Sequence, residues 1–346
     1  MKHWLNPCIL FDTETNIVRI KISEMLIFMY DDFIEVSTPK CLIDLPKVLK
    51  SNYDLIKDAT IIIDSTWEPI DPTPFVNCVL QMNCFSEDRI LVQEARKVCN
   101  FKNTETFYVG LCNQFSWYDI LQQYNIDWKS IEVDKHFVAL ARRPTVFRAE
   151  FMKLLLDTMP EYTRASFGNL DRPDRFYDQY RKIMDPHSIP ITLDGNQHNM
   201  IGAVHSPKQS VVYKSLFNIA LETSVDFLYV TEKTYKAFAW YQIPVCFAAV
   251  GHIAKLRELG FDVFDDLLDG HPYDKETNLH LRKLKLISTL KNAAKNEYIQ
   301  GLRKAIWPRL VENNKRLSAI VEQERLRFDA RDHLQELKRA GLKIFT

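Results

Sequence analysis

Glu222, Tyr229, Glu232 and Lys233 bring two carboxylates, a phenol and an ammonium group into one short polar segment of the chain. A carboxylate such as that of Glu232 can accept hydrogen bonds from the hydroxyl groups of a ribose. The ammonium group of Lys233 can bind a phosphate oxygen as a point charge. These residue types therefore suit a nucleotide ligand, although a glutamate in a first helical turn is also typical of ordinary helix capping.

The elements around this segment predict where it lies in the fold. Residues 217–222 (FNIALE) have the apolar and β-branched character of a short buried strand. Thr231 is placed as the N-cap of a helix that runs to Trp240, and Pro244 opens a second apolar strand. The polar segment is thus expected between the carboxyl end of a strand and the N-terminus of a helix, where α/β sheets bind anionic ligands.

A second block with functional potential lies upstream, in the sequence HFVALARRPTVFRAEFMKLLLD. HFVALA predicts a strand, Pro144 lies at a helix start, and apolar residues then recur at helical spacing. Arg148 lies near the start of this helix, and Arg142 and Arg143 come just before it. A guanidinium group here can bind a pyrophosphate through two hydrogen bonds, whereas the preceding arginine pair is also compatible with a solvated basic turn.

Together the two blocks resemble a known family. LETS followed by YVTEK, an apolar helix and IPV resembles the nucleotide-sugar-binding signature of the α-1,3-fucosyltransferases, which runs approximately FENS, a short gap, YVTEK, a helix and PV. The chain is also similar to the fucosyltransferase-like glycosyltransferases of tailed phages and other large viruses, in which a segment like residues 251–274 follows. The similarity is dense over residues 137–274 and thin before them. Thr223 replaces the asparagine of the family, which leaves the donor sugar open.

The resemblance implies an inverting glycosyltransferase with a UDP- or GDP-linked sugar as its donor. It assigns donor contacts to Glu222, Tyr229, Glu232 and Lys233, and it places Arg148 against the donor diphosphate. No clear DxD motif follows a strand, so we expect Arg148 and Lys233 to neutralise the phosphates without a metal or other cofactor. The candidate donor site comprises Arg142, Arg143, Arg148, Glu222, Thr223, Tyr229, Thr231, Glu232 and Lys233.

The resemblance also implies a catalytic glutamate in an acceptor-side domain, which deprotonates the attacking hydroxyl. The sequence IIIDSTWEPID offers Asp64 at a strand end, then Glu68 and Asp71 in the following loop. A base must reach the acceptor oxygen within about 3 Å, and a carboxylate on a loop at the carboxyl end of a strand is well placed to do so. We therefore predict Glu68 as the base, and Trp67 as a flat surface for a sugar or base. Asp64 and Asp71 are the other candidates for the catalytic base. A solvent-facing acidic turn is the alternative for this loop.

Length and composition predict two α/β domains. The chain has 346 residues, 46% hydrophobic and 26% charged, which is long for one core and ordinary for a globular protein. Buried strands are predicted at residues 25–30, 59–64 and 106–110, and a helix over residues 86–99. No glycine-rich phosphate loop occurs among only nine glycines, which excludes a dinucleotide fingerprint of the Rossmann type.

We predict the two-domain GT-B glycosyltransferase architecture, with two Rossmann-like domains. The acceptor-side domain is expected at residues 1–135, the nucleotide-sugar-binding domain at 136–278 and a helical tail at 279–346. In GT-B enzymes the last helix commonly crosses back to the first domain, so we expect the tail to pack across both domains. Self-association through this tail as a coiled coil is the alternative, but its apolar positions are too sparse for a sustained heptad seam. The sequence does not decide whether the protein is a monomer or a dimer.

The composition also predicts where the protein works. No run of about 18 apolar residues occurs, and the N-terminus reaches acidic residues too early for a secretory signal. The seven cysteines form no CxxC pair and lie mostly in apolar runs, as reduced thiols do in cytosolic proteins. We therefore expect a cytoplasmic enzyme without a membrane span, bacterial or viral, which works in the host cytoplasm if it is viral.

The acceptor stays open at the level of the sequence. The net charge is zero, so no overall field attracts nucleic acid. Residues 142–182 hold nine lysines and arginines against six aspartates and glutamates. Within them, residues 172–182 (RPDRFYDQYRK) interleave arginines with aromatic residues, which suits stacking on a base or sugar but also a solvated loop. The resemblance to phage glycosyltransferases, which can glycosylate hydroxymethylated cytosine in phage DNA, implies either that base or a saccharide as the acceptor. The alternative function is that of a catalytically inactive sugar-nucleotide-binding or structural viral protein that keeps the fold.

Overall fold

The computed structural model divides the chain into two compact units, Met1–Cys112 with Glu322–Thr346 and Asn113–Val321. Each unit has a sheet of mainly parallel strands together with helices, so the predicted α/β class is confirmed. The structure describes residues 2–6, 9–14, 16–21, 40–65, 72–94, 101–106, 118, 121–122, 126–141, 145–168, 177–185, 187, 191, 193, 211–222, 224–226 and 228–328.

The first unit is built on a sheet whose strands are arranged in chain order. Its described elements are β1 (Lys2–Asn6), β2 (Ile9–Asp12), β3 (Ile17–Lys21), α1 (Lys40–Ser51), α2 (Tyr53–Ile56), β4 (Thr60–Ser65), α3 (Thr73–Gln81), β5 (Ile90–Glu94) and β6 (Thr104–Thr106). β1, β2 and β3 pair antiparallel, and β3, β4, β5 and β6 pair in parallel. All six residues of β4 are buried, as expected for a central parallel strand covered on both faces.

One element of the first unit differs from its prediction. The helix predicted over residues 86–99 is wrong for residues 86–94, because a single 3₁₀ turn at Glu87–Arg89 leads directly into β5, and residues 95–99 lie outside the described part of the chain. Ile90, Leu91 and Val92 are all buried, and a run of consecutive apolar residues fits a parallel strand between two others better than the face of a helix. The predicted strand at 59–64 is confirmed as β4, whereas residues 25–30 and 107–110 lie outside the described part of the chain.

The second unit contains the elements predicted around the polar segment. The strands at HFVALA and FNIALE, the helix capped by Thr231 and the strand after it are all confirmed, and the described part of the tail forms two helices. The described elements are β7 (Lys135–Ala141), α4 (Val146–Thr158), β8 (Thr163–Phe167), α5 (Tyr177–Met184), β9 (Ser215–Leu221), α6 (Glu232–Ala239), β10 (Ile243–Phe247), α7 (His252–Glu258), α8 (Leu279–Ala294) and α9 (Ile299–Phe328).

The sheet of the second unit is fully parallel and has the spatial order β10-β9-β7-β8. The chain therefore leaves β7 towards β8 on one side and leaves β9 towards β10 on the other. Connections that diverge in this way open a crevice at the carboxyl ends of β7 and β9, which is the point where open α/β sheets bind ligands. The topology thus selects one edge of the sheet as the place for a site.

Stacked aromatic rings anchor two helices of this unit. Phe151 of α4 stacks on Phe247 at the carboxyl end of β10, with the ring centroids 4.5 Å apart. Phe238, in the last turn of α6, stacks on Phe261 after α7 at a centroid distance of 4.0 Å. Such pairs add about 0.5–1.5 kcal/mol each beyond the burial of their surface. The first stack therefore holds α4 at the carboxyl end of β10, and the second holds the end of α6 against the segment that follows α7.

None of the helices in the described part of the chain combines the length and the apolar character that crossing a membrane requires.

Candidate functional site

A buried arginine joins the two sides of the crevice. Arg148, in the first turn of α4, donates hydrogen bonds from Nε (3.1 Å) and Nη2 (2.7 Å) to the backbone oxygen of Glu222. Glu222 is the first residue after β9, whereas α4 follows β7. The guanidinium group predicted to face a donor diphosphate therefore lies at the diverging strand ends, where it is anchored to the backbone of the second candidate block.

Glu222 is the hub of the site, because each of its polar groups bonds to a different element. Its backbone N–H donates to the oxygen of Phe247 in β10 (3.0 Å), and its backbone oxygen accepts from Arg148. Oε1 accepts from the backbone N–H of Thr231 (3.1 Å), and Oε2 from the hydroxyl of Thr231 (2.6 Å). The carboxylate is completely buried. It therefore holds the start of α6 against the end of β9.

The first turn of α6 presents the predicted nucleotide ligands. Thr231 caps the helix by accepting a hydrogen bond from the backbone N–H of Lys233 (3.3 Å), as its sequence position predicts. The ammonium group of Lys233 lies 3.2 Å from the hydroxyl oxygen of Thr231 and 3.1 Å from a carboxylate oxygen of Glu232. The side chains of Lys233 and Glu232 are 26% and 29% exposed. These two charged groups are thus open to solvent beside a buried scaffold.

The charges on α6 favour an ionised Glu232. Partial burial raises the pKa of its carboxyl group, but the positive charges of Lys233 and Lys236 outweigh this effect and hold the pKa at about 2. Lys236 lies one turn after Glu232, and its own pKa is lowered by burial, against the attraction of Glu232. The helix start therefore carries one fixed negative charge between two ammonium groups, a combination suited to a ribose with an adjoining phosphate.

Arg282 holds the loops that flank the crevice from the other side. Its Nη1 donates to the backbone oxygens of Ala248 (2.7 Å) and Val225 (3.2 Å), and its Nε to that of Glu276 (2.7 Å). Val225 follows β9, and Ala248 follows β10. A single buried guanidinium group on α8 therefore fixes the backbone after two neighbouring strands.

The start of α7 is fixed by Asp274. Its two carboxylate oxygens accept hydrogen bonds from the backbone N–H groups of Ile253 (2.8 Å) and Ala254 (3.1 Å). Gly251 enters the helix at φ +80°, a left-handed conformation that favours glycine, and its N–H donates to the backbone oxygen of Asp274 (2.9 Å). These contacts hold His252, the first residue of α7, at the same sheet edge as α6.

In the first unit, the predicted reserve base is engaged in an ion pair. Asp64 lies near the carboxyl end of β4 and is 4% exposed, and its Oδ2 lies 2.8 Å from Nη1 of Arg19 on the neighbouring strand β3. The carboxylate of this reserve candidate thus pairs with a neighbouring strand inside the sheet. Glu68, Trp67 and Asp71 lie outside the described residues.

Three further predicted donor residues also lie outside the described part of the chain, namely Arg142, Arg143 and Thr223. Tyr229 is described and buried. In the basic segment, Arg164 forms a bidentate pair with Asp134 (2.6 and 2.9 Å) at the amino end of the sheet. Arg164 thus serves the fold at the sheet edge opposite the crevice.

Four residues at this edge were not singled out from the sequence: Thr234, His252, Asp274 and Arg282. Thr234 was within reach, because TEKT places its hydroxyl next to Lys233. Asp274 and Arg282 carry no sequence signal, since Asp274 binds the N–H of Ile253, 21 residues away, and Arg282 binds the backbone oxygen of Val225, 57 residues away.

Buried histidines predict a stability that falls in mild acid. Burial lowers the pKa of His136, His252 and His271, so all three stay neutral in the folded protein while the unfolded chain takes up protons near pH 6.5. The unfolded state then binds more protons, and the free energy of unfolding decreases as the pH falls from 6.5 towards 5, by at most about 1.4 kcal/mol per pH unit for each histidine. Calorimetric Tm values at pH 7.5, 6.5 and 5.5 measure this slope.

His136→Gln is the matched variant for that slope. His136 donates from Nε2 to the backbone oxygen of Asn296 (2.8 Å), and a glutamine amide can keep this bond without titrating. The variant should lose Tm less steeply with acid than the wild type. Equal slopes for the two proteins would contradict the assignment of His136 as a neutral buried group.

Comparison of the sequence with protein-family models finds no matching family, and comparison with curated proteins finds no similar sequence. Among the described residues, no group of three or more histidine, cysteine, aspartate or glutamate side chains is arranged to hold a metal ion.

Proposed function

We propose that the protein is an inverting glycosyltransferase that transfers a sugar from a UDP- or GDP-sugar to an acceptor hydroxyl. The observation that carries this proposal is the crevice at the carboxyl ends of β7 and β9, where the guanidinium of Arg148 meets Glu222 and α6 presents Glu232 and Lys233. Ligand sites of open parallel sheets lie at such diverging strands. The resemblance of these same residues to the fucosyltransferase signature supports the choice of ligand.

In this proposal the two α/β units form a GT-B enzyme. The second unit binds the donor, with Glu232 on the ribose and Lys233 on a phosphate oxygen. Arg148 stabilises the negative charge that grows on the leaving diphosphate, because a fixed cation is most effective where charge develops in the transition state. Glu222 and Thr231 hold this turn in place, and no metal ion takes part. The acceptor is a saccharide or hydroxymethylated cytosine in DNA.

A panel of UDP- and GDP-sugars tests the donor assignment. A ligand at 100 times its Kd should add about 2.7 kcal/mol to the apparent stability, so its Tm shift identifies the nucleotide and the sugar together. At the same concentrations, adenosine and cytidine diphosphates serve as controls. A panel in which no UDP- or GDP-sugar raises the Tm would contradict the proposed donor.

Hydrolysis of the selected donor without acceptor separates an enzyme from an inactive binding protein. A transferase slowly passes the sugar to water, and the released UDP or GDP is measured over hours. Binding without any release of nucleotide, in the presence of saccharides and of hydroxymethylated DNA alike, would favour the inactive alternative.

The position of Arg148 predicts a change in turnover. Arg148→Lys keeps the charge but cannot donate to the Glu222 oxygen from two nitrogens of one planar group. We expect kcat to fall about tenfold, and more than donor affinity, because the guanidinium acts mainly on charge that develops in the transition state. Steady-state kinetics with the selected donor measure both quantities.

Arg164→Lys is the matched control for Arg148→Lys, since Arg164 also uses two nitrogens but lies at the amino end of β8. It should leave kcat unchanged. If kcat is unchanged in Arg148→Lys as well, Arg148 has only a structural role.

A further inference from the structure

Two buried side chains lie behind the Glu222 carboxylate and have no part in the function proposed so far. The hydroxyl of Thr234, in the first turn of α6, lies 2.6 Å from Oε1 of Glu222. The same hydroxyl lies 3.1 Å from Nε2 of His252, at the start of α7. Thr234 and His252 are 0% and 1% exposed, so neither is placed to touch a ligand in solution. The chain His252–Thr234–Glu222 joins the ends of three elements.

The direction of each hydrogen bond follows from the groups involved. Glu222 can only accept, so the single hydroxyl proton of Thr234 points to Oε1. The oxygen of Thr234 must then accept from His252, which places the imidazole proton on Nε2. Nδ1 has no hydrogen-bond partner within the described part of the chain. In this series of hydrogen bonds His252 therefore acts as a single donor, through Nε2.

The surroundings of His252 keep this arrangement fixed. The charged groups that face it are Glu222 after β9 and Asp274 before α8, and the thiol of Cys246 on β10 lies 3.7 Å from the Thr234 hydroxyl. Burial raises the pKa of that thiol, so it is protonated. The hydroxyl oxygen of Thr234 has two lone pairs, so it can accept from the Cys246 thiol and from Nε2 of His252 together.

We infer that Thr234 and His252 are positioning residues of the donor site, which complete the set of hydrogen bonds to the Glu222 carboxylate and thereby fix the first turn of α6. That turn carries Glu232 and Lys233 on its exposed side. Because Glu222 binds both Thr231 and Thr234, loss of one donor lets the carboxylate and the turn shift together. This inference rests on the proposed function for its ligand.

Isosteric and conservative variants test the inference. Thr234→Val replaces the hydroxyl with a methyl group of similar size, and His252→Leu replaces the imidazole, with its Nε2 donor, by an apolar side chain. Both should weaken the binding of UDP or GDP, the nucleotides that the donors release, by about tenfold, roughly the effect of one hydrogen bond. Thr234→Ser and His252→Gln keep the hydroxyl and the N–H donor, and both should bind like the wild type. Isothermal titration at a temperature where every variant is folded gives the Kd values.

Thr289→Val is the matched control, since the buried hydroxyl of Thr289 on α8 has no hydrogen-bond partner in the described part of the chain. It should leave the Kd unchanged and should not lower the Tm. A lower Tm with an unchanged Kd in Thr234→Val and His252→Leu would overturn the inference, because the pair would then serve stability alone. The inference would also be overturned if Thr234→Ser and His252→Gln bound the nucleotide as weakly as Thr234→Val and His252→Leu.

Hydrogen exchange separates this inference from the proposed function. If the wild type binds neither UDP nor GDP, the proposed function fails, but the amides of residues 231–236 still report on the turn. Faster exchange of these amides in Thr234→Val than in Thr289→Val supports the positioning role without any ligand. Equal exchange in the two variants overturns it.

Discussion

Replacing Glu68 with glutamine is expected to lower the rate of sugar transfer by about 10²- to 10⁴-fold, the usual contribution of a general base. Glutamine keeps the shape and hydrogen bonding of the side chain but cannot take the proton of the acceptor hydroxyl. In the proposed function the donor binds in the second unit, so the Kd for the nucleotide sugar should stay at the wild-type value. Transfer to the identified acceptor and titration of the donor measure the two effects separately.

The ion pair of Asp64 with Arg19 makes Asp64→Asn a different kind of variant. It removes the buried negative charge opposite the Arg19 guanidinium, so a lower Tm is expected. Asp71→Asn completes the series. Loss of transfer in Asp64→Asn, with normal transfer in Glu68→Gln at a temperature where both are folded, would move the base to Asp64. Wild-type transfer in all three variants would place the base outside this loop.

The secondary structure around the donor site could be predicted because its signals are local. Thr231 caps α6 through its own side chain, and Pro244 lies in the strand that follows, so both elements were found at nearly the correct residues. Residues 86–99 show where local signals fail. Their polar flanks suit a helix, but Ile90, Leu91 and Val92 are buried between two parallel strands, and only the tertiary pairing decides their state.

The sequence predicts which residues come together in the candidate site, but not the hydrogen bonds between them. Glu222 was predicted to contact the donor, whereas in the structure its carboxylate is completely buried and accepts hydrogen bonds from Thr231 and Thr234. The contact from Arg148 joins residues 74 positions apart, and that from Arg282 to Val225 joins residues 57 apart. Such bonds form between strand ends that only the sheet order brings together, so no spacing in the sequence encodes them.

The structure also divides the polar residues at the crevice by burial. Glu222, Thr231 and Thr234 are enclosed, and their groups bond to one another. Glu232 and Lys233 are about three-quarters covered, and they bond to each other at the surface. A buried carboxylate without hydrogen-bond donors would cost several kcal/mol, so the enclosed set must be complete for the exposed pair to be held in place. Of the residues in the first turn of α6, the exposed pair is therefore expected to contact the ligand.

Replacing Lys233 or Glu232 with alanine is accordingly expected to weaken donor binding by about ten- to over a hundredfold. Each change removes a charge-assisted contact worth about 1.5–3 kcal/mol. The apo protein should keep its fold, because both side chains are partly exposed and the cap formed by Thr231 does not depend on them. Titration with the nucleotide sugar selected by the panel, together with Tm values without ligand, measures both expectations.

Lys315→Ala is the control for these variants, since Lys315 forms a comparable pair with Glu312 (2.7 Å) on the surface of α9. It should leave the Kd unchanged. A sharper test of Glu232 compares the nucleoside diphosphate with its 2′-deoxy form, because a carboxylate that accepts from the ribose favours the hydroxylated ligand. We expect this preference in the wild type and in Lys233→Ala, but not in Glu232→Ala. Variants of both residues that bind the donor as tightly as the wild type would show that the crevice at β7 and β9 is not the nucleotide site.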